Sequence, residues 1–259
     1  MFSKKSLGQN FLIDKNIIKK IINLIEIKNK NIIEIGPGKG ALTKEILKKN
    51  PKSLVLIEKD NKLYQNLKNK YFDKDKIKIF NKDILNFNLN RLKKKNLIVF
   101  GNLPYNISSQ ILVKFLKLEK WPPNFSDIIF MFQKELSDKI IATFPSKNYG
   151  RISIITNYRL ILVKKFNVSA NCFFPKPKVE STILHFRPKL KSKIKIKNID
   201  NLEKITNLFF SNKRKMIKKN LQKILNHKKI NLIDNLNLKL RPENLNPETY
   251  YKITNLYEA

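Results

Sequence analysis

NIIEIGPGKGALT, residues 31–43, passes from a β-branched run through glycines at 36, 38 and 40 into a segment of helical spacing. Without Cβ atoms the chain can turn tightly there, and a ligand can approach the main chain closely. A dinucleotide fingerprint spaces its glycines G-x-G-x-x-G. Here the spacing is G-x-G-x-G, with Glu34 two residues ahead of the first glycine.

Working outward, short β-branched runs alternate with helical segments. Strands are expected at 32–35, 54–57, 77–80, 97–100 and 128–132, and helices at 41–49, 61–70 and from about 109. That alternation means crossover units: an α/β, doubly wound, Rossmann-like sheet, mostly parallel and covered on both faces, with ligands at the carboxyl ends of its strands. Segments 152–158, 160–166 and 181–186 follow with little helix between them and read as antiparallel strands on one side of the sheet. After Arg187-Pro188 the basic stretch KLKSKIKIKNID reads as a linker. Residues 201–259 then carry helical periodicity, with Leu202, Ile205, Leu208 and Phe209 on one segment and Ile217, Leu221, Ile224 and Leu225 on the next. The expected domains are 1–188 and a small all-α domain at 189–259.

The chain of 259 residues sets 54 Lys and Arg against 20 Asp and Glu, a formal charge of +34. This exceeds what solubility requires and points to a polyanion held through its phosphates, nucleic acid first. Only six of the cations are Arg, and a surplus of Lys, Asn and Ile is also what A/T-rich codons give, so part of the charge carries no information about binding. No stretch approaches the roughly 18 to 20 uncharged apolar residues of a membrane span. The N-terminal MFSKKSLGQNFLIDKN lacks the apolar core and cleavage site of a secretory signal, so a soluble, cytoplasmic protein is expected. One Cys, Cys172, excludes an internal disulfide, and His185 and His227 are too few to suggest a metal site. A monomer is expected.

Three successive strands end on acids or on the glycine loop. Glu58, 20 residues after Gly38, ends the second strand, where a carboxylate can accept from both ribose hydroxyls. Asp83 ends the third, where it could meet an adenine amine. With the glycine spacing, these favour S-adenosyl-L-methionine as cofactor over a dinucleotide. The fourth strand ends in GNLPYNISS, residues 101–109. The Asn102 amide oxygen and the Leu103 carbonyl form a pair of acceptors matched to the two hydrogens of an exocyclic amine. Tyr105 offers a face on which a base can stack, worth about 1 to 3 kcal/mol.

Together these residues resemble the ribosomal RNA adenine dimethyltransferase family. The likeness rests on LGQNFL (7–12), EIGPGKGALT (34–43), IEKD (57–60), GNLPYNISS (101–109), FMFQKE (130–135), YGRIS (149–153), FFPKPKVEST (173–182) and FFSNKRKMIKKNL (209–221). It implies a class I methyltransferase sheet with a helical, RNA-binding C-terminal domain, and methylation of adenine N6 amines in ribosomal RNA. It places Asn10 and Leu12 at the closure of the methyl-donor site, Gly36 and Gly38 against the donor, Glu58 on the ribose and Asp83 on the adenine. Asn102 lies beside the transferred methyl, Asn102, Leu103 and Tyr105 hold the target base, and Phe173, or alternatively Phe174, packs its other face.

NLPY and the PKPKV segment resemble the branch that dimethylates two adjacent adenosines in the terminal hairpin of small-subunit ribosomal RNA; relatives acting on large-subunit RNA share the fold. The implied partners are ribosomal RNA and the small ribosomal subunit or its precursor. Lys213, Arg214, Lys215, Lys218 and Lys219, with Lys191, Lys193, Lys195 and Lys197, suit phosphate contacts. A non-catalytic factor gripping immature ribosomal RNA is the competing reading, and the intact Glu58, Asp83 and Asn102 argue against it.

Overall fold

Residues 32–35 show no polar-apolar alternation because none of them faces water: Ile32, Ile33, Glu34 and Ile35 are each at most 2 % exposed. Such uninterrupted burial is what a central parallel strand requires. The computed structural model describes residues 10–92 and 94–259. Its strands are β1 (Phe11–Leu12), β2 (Asn31–Ile35), β3 (Ser53–Glu58), β4 (Ile77–Asn81), β5 (Leu97–Asn102), β6 (Phe125–Gln133), β7 (Leu160–Val168), β8 (Phe173–Phe174) and β9 (Ser181–Pro188). Its helices are α1 (Lys15–Ile22), α2 (Ala41–Lys48), α3 (Asn61–Lys70), α4 (Ser108–Leu116), α5 (Lys134–Ile140), α6 (Arg151–Arg159), α7 (Ile199–Phe210), α8 (Lys218–Gln222), α9 (His227–Asn231) and α10 (Pro247–Glu258).

Seven strands form one sheet in the order β4-β3-β2-β5-β6-β9-β7. The first five are parallel neighbours, and β9 joins β6 antiparallel. The strand order reverses direction at β2, which puts the ends of β2, β3 and β5 beside one another where a ligand crevice forms. A separate two-stranded pairing joins β1 to β8, with Phe11 opposite Phe174 and Leu12 opposite Phe173. Ile13 N–H adds a bond to the Cys172 carbonyl at 2.8 Å, so this strap holds residues 11–13 against 172–174. The helix starts are fixed locally: Asp14 caps α1 through the Asn16 and Ile17 N–H groups, and Asp60 caps α3 through Leu63 N–H.

Two compact units result. One holds the described residues up to 115 with 122–137 and 161–188; the other holds 116–121, 138–160 and 189–259. In the second unit α7 buries Ile199, Leu202, Ile205 and Phe209, and α10 buries Tyr250, Tyr251 and Ile253. The Phe209 and Tyr250 rings meet edge to face, 5.7 Å between centroids. The basic stretch after 188 is stitched to this unit: the Tyr158 hydroxyl donates to Ile194 O at 3.2 Å and accepts from Ile196 N–H at 2.9 Å. Ile194 and Ile196 are half-buried there, while Lys191, Lys193, Lys195 and Lys197 alternate with them on the exposed side.

One expectation is corrected. Residues 152–158 are not a strand but lie within α6. The β-branched run suggests extended chain, yet Ser153, Ile154, Ile155, Thr156 and Arg159 are buried on several faces, which erases the helical period from the sequence. Tertiary contacts decide the conformation. The Tyr251 hydroxyl donates to Ile154 O at 3.0 Å, and the Arg159 guanidinium lies 4.3 Å from the Trp121 ring. Ser153 starts the helix, accepting from Gly150 N–H at 3.1 Å and donating to Gly150 O at 2.8 Å. Ser153→Ala removes that cap and is expected to lower stability by about 1 kcal/mol, readable as an earlier denaturant midpoint with an unchanged slope.

Candidate active site

The ends of β2, β3 and β5 open onto a cleft of about 660 Å³ lined by Asn10, Leu12, Gly36, Gly38, Glu58, Asp83, Asn102, Leu103 and Tyr105 among others. All the residues expected from the sequence to serve the methyl donor are therefore gathered in one place, as are three of the four expected to hold the base.

The loop between β2 and α2 keeps its shape through backbone conformation. Gly36 and Gly38 have φ of +63° and +57°, the left-handed region that a Cβ disfavours. At Gly38 a Cβ would also meet the Phe11 ring at 3.0 Å. Glu58 then ties loop to strand: one carboxylate oxygen accepts from Gly38 N–H at 3.1 Å, the other from Asp60 N–H at 2.9 Å. Burial raises the Glu58 pKa, and these backbone donors oppose the rise. A carboxylate offers about four lone-pair positions, so the Gly38 and Asp60 bonds, with a smaller contribution from the Lys59 backbone, do not use up its acceptor capacity.

Asp83 is more engaged than its sequence position indicates. It accepts from Leu85 N–H at 2.9 Å and pairs with Lys59 Nζ at 2.8 Å. Partial burial would raise its pKa, but the Lys59 bond, the Leu85 N–H and nearby lysine charge together lower it.

Asn102 ends β5, with its backbone carbonyl 3.6 Å from where a Cβ on Gly36 would sit. Its side-chain Nδ2 donates to the Asn10 carbonyl at 3.0 Å. That bond fixes which end of the amide is which, leaving Oδ1 as the acceptor. In the turn that follows, Ile107 N–H bonds the Pro104 carbonyl. The Leu103 carbonyl thus stays outside the α4 ladder, while the Leu103 side chain is buried against the Gly101 position. The Tyr105 hydroxyl shares a hydrogen with Ser181 Oγ at 2.6 Å, holding the ring half-buried at the cleft.

Phe173 requires a correction. At 3 % exposure it packs in the core with Leu12, Ile18 and Met131, because β8 pairing turns it inward; its neighbour Phe174 is 60 % exposed. A base can stack only on the second ring in this arrangement. Leu7, Gly8 and Gln9 of the LGQNFL stretch lie outside the described residues.

Three participants were not identified as site residues from the sequence. Phe11 covers the glycine loop, with Lys39 Nζ 4.8 Å from its ring centre. Lys59 engages Asp83, and Thr43 Oγ1 donates to Glu34 Oε2 at 2.6 Å beneath the loop. The quoted stretches LGQNFL, IEKD and GALT contain them, but a stretch does not say which of its side chains turn inward. Burial, countered by the Thr43 hydroxyl and assisted by the Glu58 charge, pushes the Glu34 pKa up to about 7.

The chain matches the family described as ribosomal RNA adenine dimethylase over residues 2–259. It is 46 % identical over 257 residues to a protein of Pelagibacter ubique named ribosomal RNA small subunit methyltransferase A, covering 99 % of this chain and 97 % of that one. A protein of the same name from Wolbachia sp. subsp. Drosophila simulans is 40 % identical over 262 residues, covering 99 % and 94 %. Among solved structures, a dimethyladenosine transferase from Plasmodium falciparum superposes with TM-score 0.78 at 25 % identity, covering 94 % of this chain and 95 % of that one. The 23S rRNA methyltransferase ErmE superposes with TM-score 0.70 at 22 % identity, covering 96 % and 100 %, a likeness of fold.

Phe173→Ala is expected to cost about 3 to 5 kcal/mol of stability, whereas Phe174→Ala should leave the melting temperature within experimental error; differential scanning calorimetry of both variants checks this. Glu34, with a folded pKa near 7 against an ordinary 4.5, favours the fold most in its protonated form. Its contribution is therefore full below pH 4.5 and lost as pH rises to 7. The stability of Glu34→Gln relative to the parent should climb by on the order of 2 to 3 kcal/mol between those pH values and then level off, as followed by urea titrations.

Proposed function

The chain belongs to the ribosomal RNA adenine dimethylase family, and from that we propose that it transfers methyl groups from S-adenosyl-L-methionine to the N6 amines of two adjacent adenosines in the 3′-terminal hairpin of small-subunit ribosomal RNA. The product is N6,N6-dimethyladenosine. The observation that carries this reading is the fixed carboxamide of Asn102: its Nδ2 is engaged by Asn10, so its oxygen is oriented as an acceptor beside the glycine loop.

When bound, S-adenosylmethionine supplies a methyl group already activated on a sulfonium. The residues that would hold it fit such a ligand. Gly36 and Gly38 offer open main chain, Glu58 has acceptor capacity for the ribose, and Asp83 reaches the cleft for the adenine amine. Asn10 and Leu12 form the wall that the β1 strap brings across.

Asn102 Oδ1 and the Leu103 carbonyl would take the two N–H hydrogens of the target amine. An exocyclic amine is a poor nucleophile because its lone pair is delocalised into the ring. Two fixed acceptors favour the pyramidal geometry in which that pair can attack. Alignment and placed dipoles do the work of a base here. Tyr105 would stack on the adenine, its ring held by Ser181, and Phe174 is the exposed ring available to the other face. An adenine in a duplex cannot enter such a cleft, so the base must be unstacked first.

Phosphate contacts are assigned to Lys213, Arg214, Lys215, Lys218 and Lys219 and to the alternating lysines of 191–197, all exposed. Lysine acts as a point charge, so selectivity comes from RNA shape and splayed bases. The helical residues 189–259 are accordingly read as the RNA-binding domain. No helix among the described residues is long and apolar enough to cross a membrane, and we assign the protein to the cytoplasm as a monomer.

Asn102→Ala should lower turnover by on the order of 10² to 10³ while circular dichroism stays unchanged; near-normal dimethylation would remove Asn102 from its role. Incubating purified small and large subunits with labelled donor should place the label on the small subunit alone, in the 3′-terminal fragment, and label on the large subunit would redirect the assignment.

A further inference from the structure

Glu34 is 2 % exposed yet reaches the wall of the cleft. Thr43 on α2 gives it a hydroxyl hydrogen at 2.6 Å. From the end of α3 it faces the Tyr71 hydroxyl, which is buried with no hydrogen-bond partner among the described residues. From β3 it feels the like charge of Glu58, and its register partners on the two flanking strands are the apolar Leu56 and Phe100. Among the described residues no lysine, arginine or histidine pairs with it. A carboxyl group so placed has two ways to be accommodated: it keeps a proton, or a positive charge enters the cleft beside it.

The two ligands of the reaction share an α-ammonium and a carboxylate and differ in charge at sulfur alone. The donor carries a sulfonium, and the product left after methyl transfer carries a neutral thioether. We propose that Glu34 discriminates between them, giving up its proton to solvent as the cationic donor enters and regaining one when the neutral product takes its place. This rests on the reading that the cleft holds S-adenosylmethionine. The balance closes over a turnover: one methyl passes from sulfur to nitrogen, one N–H proton leaves the amine for solvent, and the carboxylate takes back from solvent the fraction of a proton it gave up on donor binding, with no direct path between the last two required. The consequence is a cleft that favours fresh donor over spent product more strongly as pH rises. Burial and the Glu58 charge set the range near neutrality.

The test is calorimetric titration of S-adenosylmethionine and S-adenosylhomocysteine into the parent and Glu34→Gln, each in two buffers of different ionisation enthalpy between pH 6 and 8. The parent should release about half a proton on binding the donor at pH 7 and less on binding the product. Its preference for donor should strengthen by about tenfold from pH 6 to 8. In Glu34→Gln the part of this pH dependence that the carboxyl supplies should vanish, leaving only any titration of the ligands themselves, which is common to both proteins. Thr43→Val supplies an independent readout: without the hydroxyl donor the carboxylate is less favoured, so the midpoint of the pH dependence moves upward. Equal proton release for both ligands, an unchanged slope in Glu34→Gln, or an unmoved midpoint in Thr43→Val overturns the proposal. Failure of the folded parent to bind the donor at all would instead overturn the assignment of the cleft.

Discussion

The bond from Gly38 N–H to the Glu58 carboxylate is the constraint on which the cleft depends. The glycine loop adopts left-handed conformations that the chain visits only at a cost in entropy, and it needs an anchor that does not fill the space it creates. A carboxylate at the tip of the adjacent strand provides one, because it holds the loop by its backbone and still has lone pairs to spare. Parallel pairing of β2 with β3 and β5 brings that carboxylate and Asn102 to the same rim as the loop. Sheet topology thus places the groups, and the loop leaves room between them.

Much of this was legible in the sequence because it depends on local pattern. Strands such as 32–35 and 54–57 are buried on both faces, so they read as unbroken apolar runs, and the residues after them inherit a predictable place at the strand ends. What was not legible depends on contacts far apart in the chain. Helix α6 carries a β-branched sequence and is helical because α7 and α10 pack on it. The inward turn of Phe173 follows from pairing with Leu12, a partner no window around 173 contains. The bond from Asn102 to Asn10 spans 92 residues, and only the fold reveals which end of that amide faces a ligand.

Two acids of the site have no cation paired with them among the described residues. Asp83 has Lys59, but among the described residues no cation pairs with the buried Glu34 or Glu58. Lysines such as Lys39, Lys44 and Lys82 line the same cleft without pairing with either carboxyl among the described residues, in a chain whose net charge is +34.

The β1–β8 strap closes one wall of the cleft with strands of two residues each, joining position 11 to position 174. A contact so distant along the chain closes a long loop, and that entropic cost is offset most readily once the sheet between its ends is formed. With so few backbone bonds, the strap is held chiefly by the side chains it buries, Leu12 and Phe173, which pack in the core.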